Sequence, residues 1–242
     1  MWKTLLLILI FVQSAHAYQF TRDFQNGFYW KDLPLNISVL EKENPERKDL
    51  LDQLTLSAVQ DWESATGLSI WNIVGEGKTS NIIRWSNEFS KETRMDDTTV
   101  LAVAVRYTEG PYFARAEIII NGNHPLNSIV SYLYTTIKHE LGHTMGLDHS
   151  DVKSSIMWPE LQEYGVGVGE DDVKGMIAAY DTMTERQLTR YVSPLAYEQK
   201  SESQGLSCAT VTTTPMVAGQ GIFSLLLGIL ISFVRKIKSK FK

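Results

Sequence analysis

The stretch His139-Glu140-Leu141-Gly142-His143-Thr144-Met145-Gly146-Leu147-Asp148-His149 decides how this chain is read, and its pattern is HExxHxxGxxH. His139 and His143 are four residues apart, so on a helix their imidazoles lie one turn apart on one face. Both can then reach one metal ion at the ~2.0–2.1 Å typical of a Zn–N bond. Glu140 neighbours the first of these His residues and can face water at the ion without binding the ion itself. Gly tolerates the left-handed backbone that ends a helix, so Gly146 permits a reversal that returns His149 as a third ligand. Three protein ligands leave a fourth position open, which is the layout of a catalytic zinc site rather than a structural one. The chain has only five His and one Cys in 242 residues. Shuffling its composition gives this pattern roughly once in 10⁵ chains.

Outward from this segment, the residues predict an α+β domain. Ser128 to Gly146 reads as one helix carrying the His pair. Before it, Val100–Tyr107 and Phe113–Ile120 read as two strands around a Thr108-Glu109-Gly110-Pro111 turn. Ser69–Val74, Asn81–Trp85 and Leu33–Leu40 read as further strands. Glu46–Thr66 has Leu50, Leu51, Leu54, Leu56, Val59 and Trp62 at mostly helical spacing, with Gly67 as its stop. Downstream, Asp171–Tyr180 reads as a short helix. His124, in an Asn121-Gly122-Asn123-His124-Pro125 loop, reads as a solvent-exposed loop residue. The lone Cys208 excludes an intramolecular disulfide and a Cys-based zinc finger.

The two ends differ from the body. Residues 1–17, with Lys3, the apolar run Leu5–Val12 and Ala15-His16-Ala17, fit a secretory signal peptide, so a mature chain would begin at Tyr18. The body, 18–196, is long enough for a single core. Residues 197–216 are polar, without apolar periodicity, and read as a tether. Residues 217–234 are apolar, and as a helix would rise about 27 Å, close to the ~30 Å of a bilayer core. Residues 235–242 carry Arg235, Lys236, Lys238, Lys240 and Lys242, which by the positive-inside rule would remain cytoplasmic. The body between these ends is acidic, and the formal net charge of −5 argues against a nucleic-acid partner.

With the pattern and its surroundings in view, the chain resembles a metzincin zinc peptidase. A Met-turn, Ser155-Ile156-Met157-Trp158-Pro159, follows His149 by eight residues, and Ser150 directly follows that His. These features are similar to the matrixin branch, the matrix metalloproteinase catalytic domains. So are the Ala58-to-Trp62 step before Thr66-Gly67-Leu68, the paired Asp171 and Asp172, and Tyr180. The resemblance covers about residues 28–182. It implies a twisted, mixed five-stranded sheet with three helices and a zinc cleft. It also implies a peptide substrate extended along an edge strand near Leu101–Val105, a specificity pocket built partly from Trp158–Gly169, and Met157 supporting the metal from below. No Cys lies between Tyr18 and the domain, so cysteine-switch latency is not expected. Ser86–Thr99 contains no His for a second, structural zinc, and calcium is not readable from the loops.

The expected function is a membrane-tethered, extracytoplasmic zinc endopeptidase acting on proteins or peptides. One catalytic Zn²⁺ would be held by His139, His143 and His149, with Glu140 as the general base toward water. The alternatives are a non-catalytic surface binding or adhesion module that keeps the fold and a metal, and a zinc hydrolase of non-peptide substrates. Glu140 argues against the first, because a structural metal site has no use for a base.

Overall fold

A computed structural model of the chain describes residues 17–40, 44–161, 166–197 and 205–210. All of these belong to one compact unit, residues 1–211. The signal peptide and the 217–234 helix predicted from the sequence lie outside the described residues. Among the described residues, no helix is long and apolar enough to cross a membrane.

The elements are α1 (Arg22–Gln25), β1 (Tyr29–Trp30), β2 (Leu35–Val39), α2 (Lys48–Thr66), β3 (Trp71–Ile73), β4 (Ile82–Ser86), α3 (Phe89–Thr93), β5 (Val100–Glu109), β6 (Tyr112–Asn121), α4 (Val130–Thr144), α5 (Glu170–Thr189) and β7 (Gly205–Thr210). One sheet runs in the order β3-β2-β4-β6-β5-β7, with β1 also paired to β6. Pairings are parallel among β2, β3, β4 and β6, whereas β5 is antiparallel to both of its neighbours. The five strands β3 to β5 in this order form the mixed sheet implied by the family resemblance, and α2, α4 and α5 are its three long helices.

Strand β5 shows how the layers are divided. Successive side chains of a strand face opposite sides. Ala102 and Ala104 join the main core, while Val103 and Val105 join a second cluster with Phe89 of α3 and Ile119 of β6. On the main-core side α4 packs against β5, and the small Ala side chains allow that approach. Helix α2 buries Leu51, Thr55, Ala58, Val59 and Trp62 along one stripe and ends at Gly67, which adopts a left-handed φ of 71°.

Three differences from the sequence reading have local causes. Helix α5 continues to Thr189, beyond the expected Tyr180, because Met176, Ala179 and Met183 keep one buried stripe through an otherwise polar segment. The β5–β6 turn is only Gly110-Pro111, since the strands stay paired out to Glu109 and Tyr112. Within the polar 197–216 stretch, Gly205–Thr210 forms β7 against β5. Pairing of this kind uses the backbone, so composition carries no sign of it.

Candidate metal centre

Helix α4 presents His139 and His143 one turn apart, and the segment after its end brings His149 back to them. One ligand atom from each of the three lies within 4.8 Å of the others. The ring centroids are 4.6, 5.0 and 5.3 Å apart. The reversal depends on Gly146, whose φ is +88°. A Cβ there would stand 2.6 Å from the Phe24 ring. The segment Gln19–Thr21 clamps the turn from outside. The Thr21 amide donates to Gly146 O at 2.9 Å and the Asp148 amide to Gln19 O at 2.8 Å.

The orientation of the imidazoles is set by carbonyl oxygens, which can only accept. His139 Nδ1–H donates to Ile156 O at 2.7 Å and His143 Nδ1–H to Leu147 O at 2.8 Å. With Nδ1 protonated, a neutral ring has its lone pair at Nε2. The two Nε2 atoms face each other at 3.0 Å. Burial pushes the His139 imidazole down to about 3 and holds His143 well below its ordinary range, with neighbouring His rings adding to both shifts. Neither ring therefore carries the proton that would reconcile two facing lone pairs at neutral pH. A shared divalent cation reconciles them, and an all-imidazole set suits zinc. Glu140 is fully buried on the same helix, three residues before His143 and hence on the same face.

The Met-turn closes the site from below. Asp172, buried at the start of α5, accepts from the Ser155 hydroxyl, the Ile156 amide at 2.9 Å, the Met157 amide at 3.2 Å and the Gly169 amide at 2.8 Å. Burial raises its carboxyl above the ordinary value against the pull of those donors. This one side chain fixes the turn whose Ile156 carbonyl orients His139. Asp171 beside it accepts from the Ser150 hydroxyl at 2.6 Å and the Tyr18 amide at 3.1 Å. The sequence reading singled out the two Asp residues without assigning them this work.

Gly142, in the middle of α4, is required by contact rather than by dihedral angle. A Cβ there would fall inside contact distance of Met157 Sδ and stand 3.2 Å from Trp62 Cζ2. Overpacking costs about 1–3 kcal/mol, while Ala gains about 1 kcal/mol over Gly in helix propensity. Gly142→Ala is therefore expected to lower Tm by a few degrees, at ~2–4 °C per kcal/mol for a domain of this size. It is also expected to weaken zinc binding, because the displaced Met157 directly follows Ile156, whose carbonyl orients His139. Calorimetry and a chelator titration check the two effects; a variant with unchanged zinc affinity would uncouple the Met-turn from His139.

The end of α4 leaves carbonyl groups without helical partners, a general feature of helix ends, and buried donors meet them. Trp30 Nε1 donates to one of them, Thr144 O, at 2.8 Å, and further up the helix Trp62 Nε1 donates to Lys138 O at 2.9 Å. Trp71 Nε1 donates to Thr144 Oγ1 at 3.1 Å. Arg106 of β5 donates Nη1–H to His143 O. Its Nε and Nη2 donate to the two carboxylate oxygens of Asp23 at 2.9 and 3.0 Å. Sequence reasoning passed over this pair, although an Arg in the strand Val100–Glu109 was a visible signal.

His124 is not the exposed loop residue expected from the sequence. It is buried, with Nε2 3.2 Å from Thr98 O and Nδ1 accepting from the Leu126 amide at 3.3 Å. One ring nitrogen is taken by the loop's own Leu126 amide and the other by the segment before β5, through Thr98 O. Beside His139 a cleft is lined by Thr135, Thr136, Ile156, Trp158, Leu161 and Val166, where the sequence reading expected a specificity pocket. Residues 162–165 lie outside the described residues.

Comparison with known proteins now bears on this geometry. The matrixin family profile matches residues 29–181, well over half of the chain. The chain belongs to the matrixin family. This matrixin is similar to matrix metalloproteinase-20 of Homo sapiens, with 29% identity over 161 residues, which is 62% of this chain and 32% of that protein. It is similar to stromelysin-2 of Rattus norvegicus, with 25% identity over 138 residues, 55% of this chain and 29% of that one. It is also similar to metalloendoproteinase 4-MMP of Arabidopsis thaliana, with 32% identity over 94 residues, 36% and 28% of the two chains. The matched stretches span about a third of the relatives' lengths. The family is one of zinc metalloendopeptidases, and the fold, the triad of His residues and the matrixin profile agree with one another.

Proposed function

We propose that this matrixin is a zinc endopeptidase that cleaves peptide bonds in proteins outside the cytoplasm. The observation that carries the reading is the pair of Nε2 atoms facing each other at 3.0 Å, each set by its own Nδ1–H bond. Glu140 stands on the same helix. The printed names of the relatives, a matrix metalloproteinase and a metalloendoproteinase, support it further.

His139, His143 and His149 would hold the ion. Zinc, when bound, supplies a Lewis acid that acidifies water and polarises a carbonyl oxygen. Glu140 holds the proton removed from the attacking water at its carboxylate and delivers it to the departing amine nitrogen. Its burial excludes bulk solvent that would compete for that proton. The cleft beside His139 takes a substrate side chain, and the β5 edge takes the peptide backbone by strand addition. Residues 1–17, as a signal peptide, would direct the domain across the membrane, and 217–234, as a membrane helix followed by the basic 235–242 tail, would tether it there.

The test is turnover of a fluorogenic peptide library by the chain, with zinc quantified in parent and His143→Ala. Turnover and one equivalent of zinc are expected for the parent, and neither for the variant. A full equivalent of zinc in His143→Ala contradicts the ligand assignment. Zinc without turnover in the parent points instead to a binding or adhesion module.

A further inference from the structure

The five strands β3-β2-β4-β6-β5 would leave β5 at the edge of the sheet, and β5 is where the peptidase reading above places substrate. In this chain that edge is already paired. Strand β7 runs antiparallel along it, with Arg106 opposite Gly205, Val105 opposite Leu206, Ala104 opposite Ser207, Val103 opposite Cys208 and Ala102 opposite Ala209. β7 also lies against α4, the helix that carries His139 and His143. At one end of the ladder, Gly205 pairs with the residue whose guanidinium meets His143 O. β7 comes from beyond residue 181, where the matrixin match ends, so it is an addition to the matched domain.

We propose that Gly205–Thr210 is an intramolecular occupant of the peptide-accepting edge of β5, which substrate must displace. This rests on the endopeptidase reading and deepens it, because it names what controls access to the same site. Strand addition draws its affinity from main-chain hydrogen bonds, with side-chain pockets supplying selectivity. A segment on the same chain makes those bonds at an effective concentration in the millimolar range for a short linker. It therefore competes without needing an intrinsically strong sequence. The pairing is also built to yield. The ladder slips in register between Val100 and Ala102, and the surrounding 197–216 stretch is polar, without an apolar stripe to anchor it. If the open edge is populated about one tenth of the time, the apparent affinity for substrate falls about tenfold. Catalysis by a bound substrate is untouched.

The experiment uses the full chain and a Ser207→Pro/Ala209→Pro variant. Each proline removes a backbone donor and disfavours strand pairing. A Ser203→Pro chain, altered before the strand, serves as control. Two quantities are read: amide hydrogen exchange over 101–106, and KM with kcat for a fluorogenic peptide. The expected result is faster exchange in the double variant, KM lower by about tenfold, kcat unchanged, and parental behaviour in the control. Unchanged exchange overturns the occupancy. Faster exchange with unchanged KM overturns the competition with substrate. Faster exchange with no turnover in either protein overturns the peptidase reading, and with it the inhibitory role, while leaving β7 on the edge.

Discussion

Glu140→Gln is expected to lower kcat/KM by about 10²–10⁴-fold, the range for loss of general acid–base catalysis, while zinc content stays at the parental level. Gln matches Glu in volume, so the fully buried position remains filled. What disappears is the carboxylate that can take and return a proton. The carboxyl group is not needed for the metal in this reading, because three imidazoles already converge within 4.8 Å. The loss should fall on kcat and kcat/KM together, as for an interaction made in the transition state. Steady-state kinetics with parallel metal analysis decides the matter. A variant that keeps parental turnover removes Glu140 from the chemistry, and one that loses zinc makes it part of the metal's support.

Asp23→Asn is expected to destabilise the domain by about 3–5 kcal/mol, the usual effect of breaking a buried ion pair from one side. Arg106 is completely buried, and Asp23 nearly so. Without the carboxylate, the guanidinium keeps its charge in a site that gives it no counter-ion. The His143 carbonyl remains as one acceptor, and the Phe113 ring lies 5.6 Å from the guanidinium carbon, but neither neutralises a charge. The same pair sets an acid limit. Burial alone would raise the Asp23 carboxyl, but the charge and hydrogen bonds of Arg106 outweigh it and hold the group below the ordinary carboxylate range. A depressed carboxyl contributes stability that is full above its unfolded value and is lost as pH falls through its folded one. Thermal unfolding in chelator should therefore show a fall in parental Tm between about pH 5 and pH 3 that is shallower in Asp23→Asn. Equal slopes in the two proteins would remove Asp23 from the acid response.

The convergence of His139, His143 and His149 was legible because its information is local. Helical periodicity places His139 and His143 on one face, and a glycine that can turn the chain returns His149. The same locality made α2, β5 and β6 readable within a few residues. What stayed hidden depends on distant partners or on the backbone alone. Arg106 and Asp23 are 83 positions apart, and nothing near either residue names the other. Asp172 was visible as half of an acidic pair, but its role as acceptor for the Met-turn exists only after α5 meets Ile156 and Met157. His124 was misjudged because loop residues are usually solvated, whereas here the loop's Leu126 amide meets one ring nitrogen and the distant Thr98 carbonyl meets the other. Strand β7 pairs through its backbone, and that leaves no trace in composition.

The three indoles that hold α4 have a practical consequence. Trp30, Trp62 and Trp71 arrive from three different elements, are buried, and end on the same helix. Indole emission moves to longer wavelength when water reaches the ring. Loosening of the helix that bears His139 and His143 should thus register as a red shift in intrinsic fluorescence. The protein carries its own optical gauge of the metal centre, readable during chelation or acidification without any attached dye.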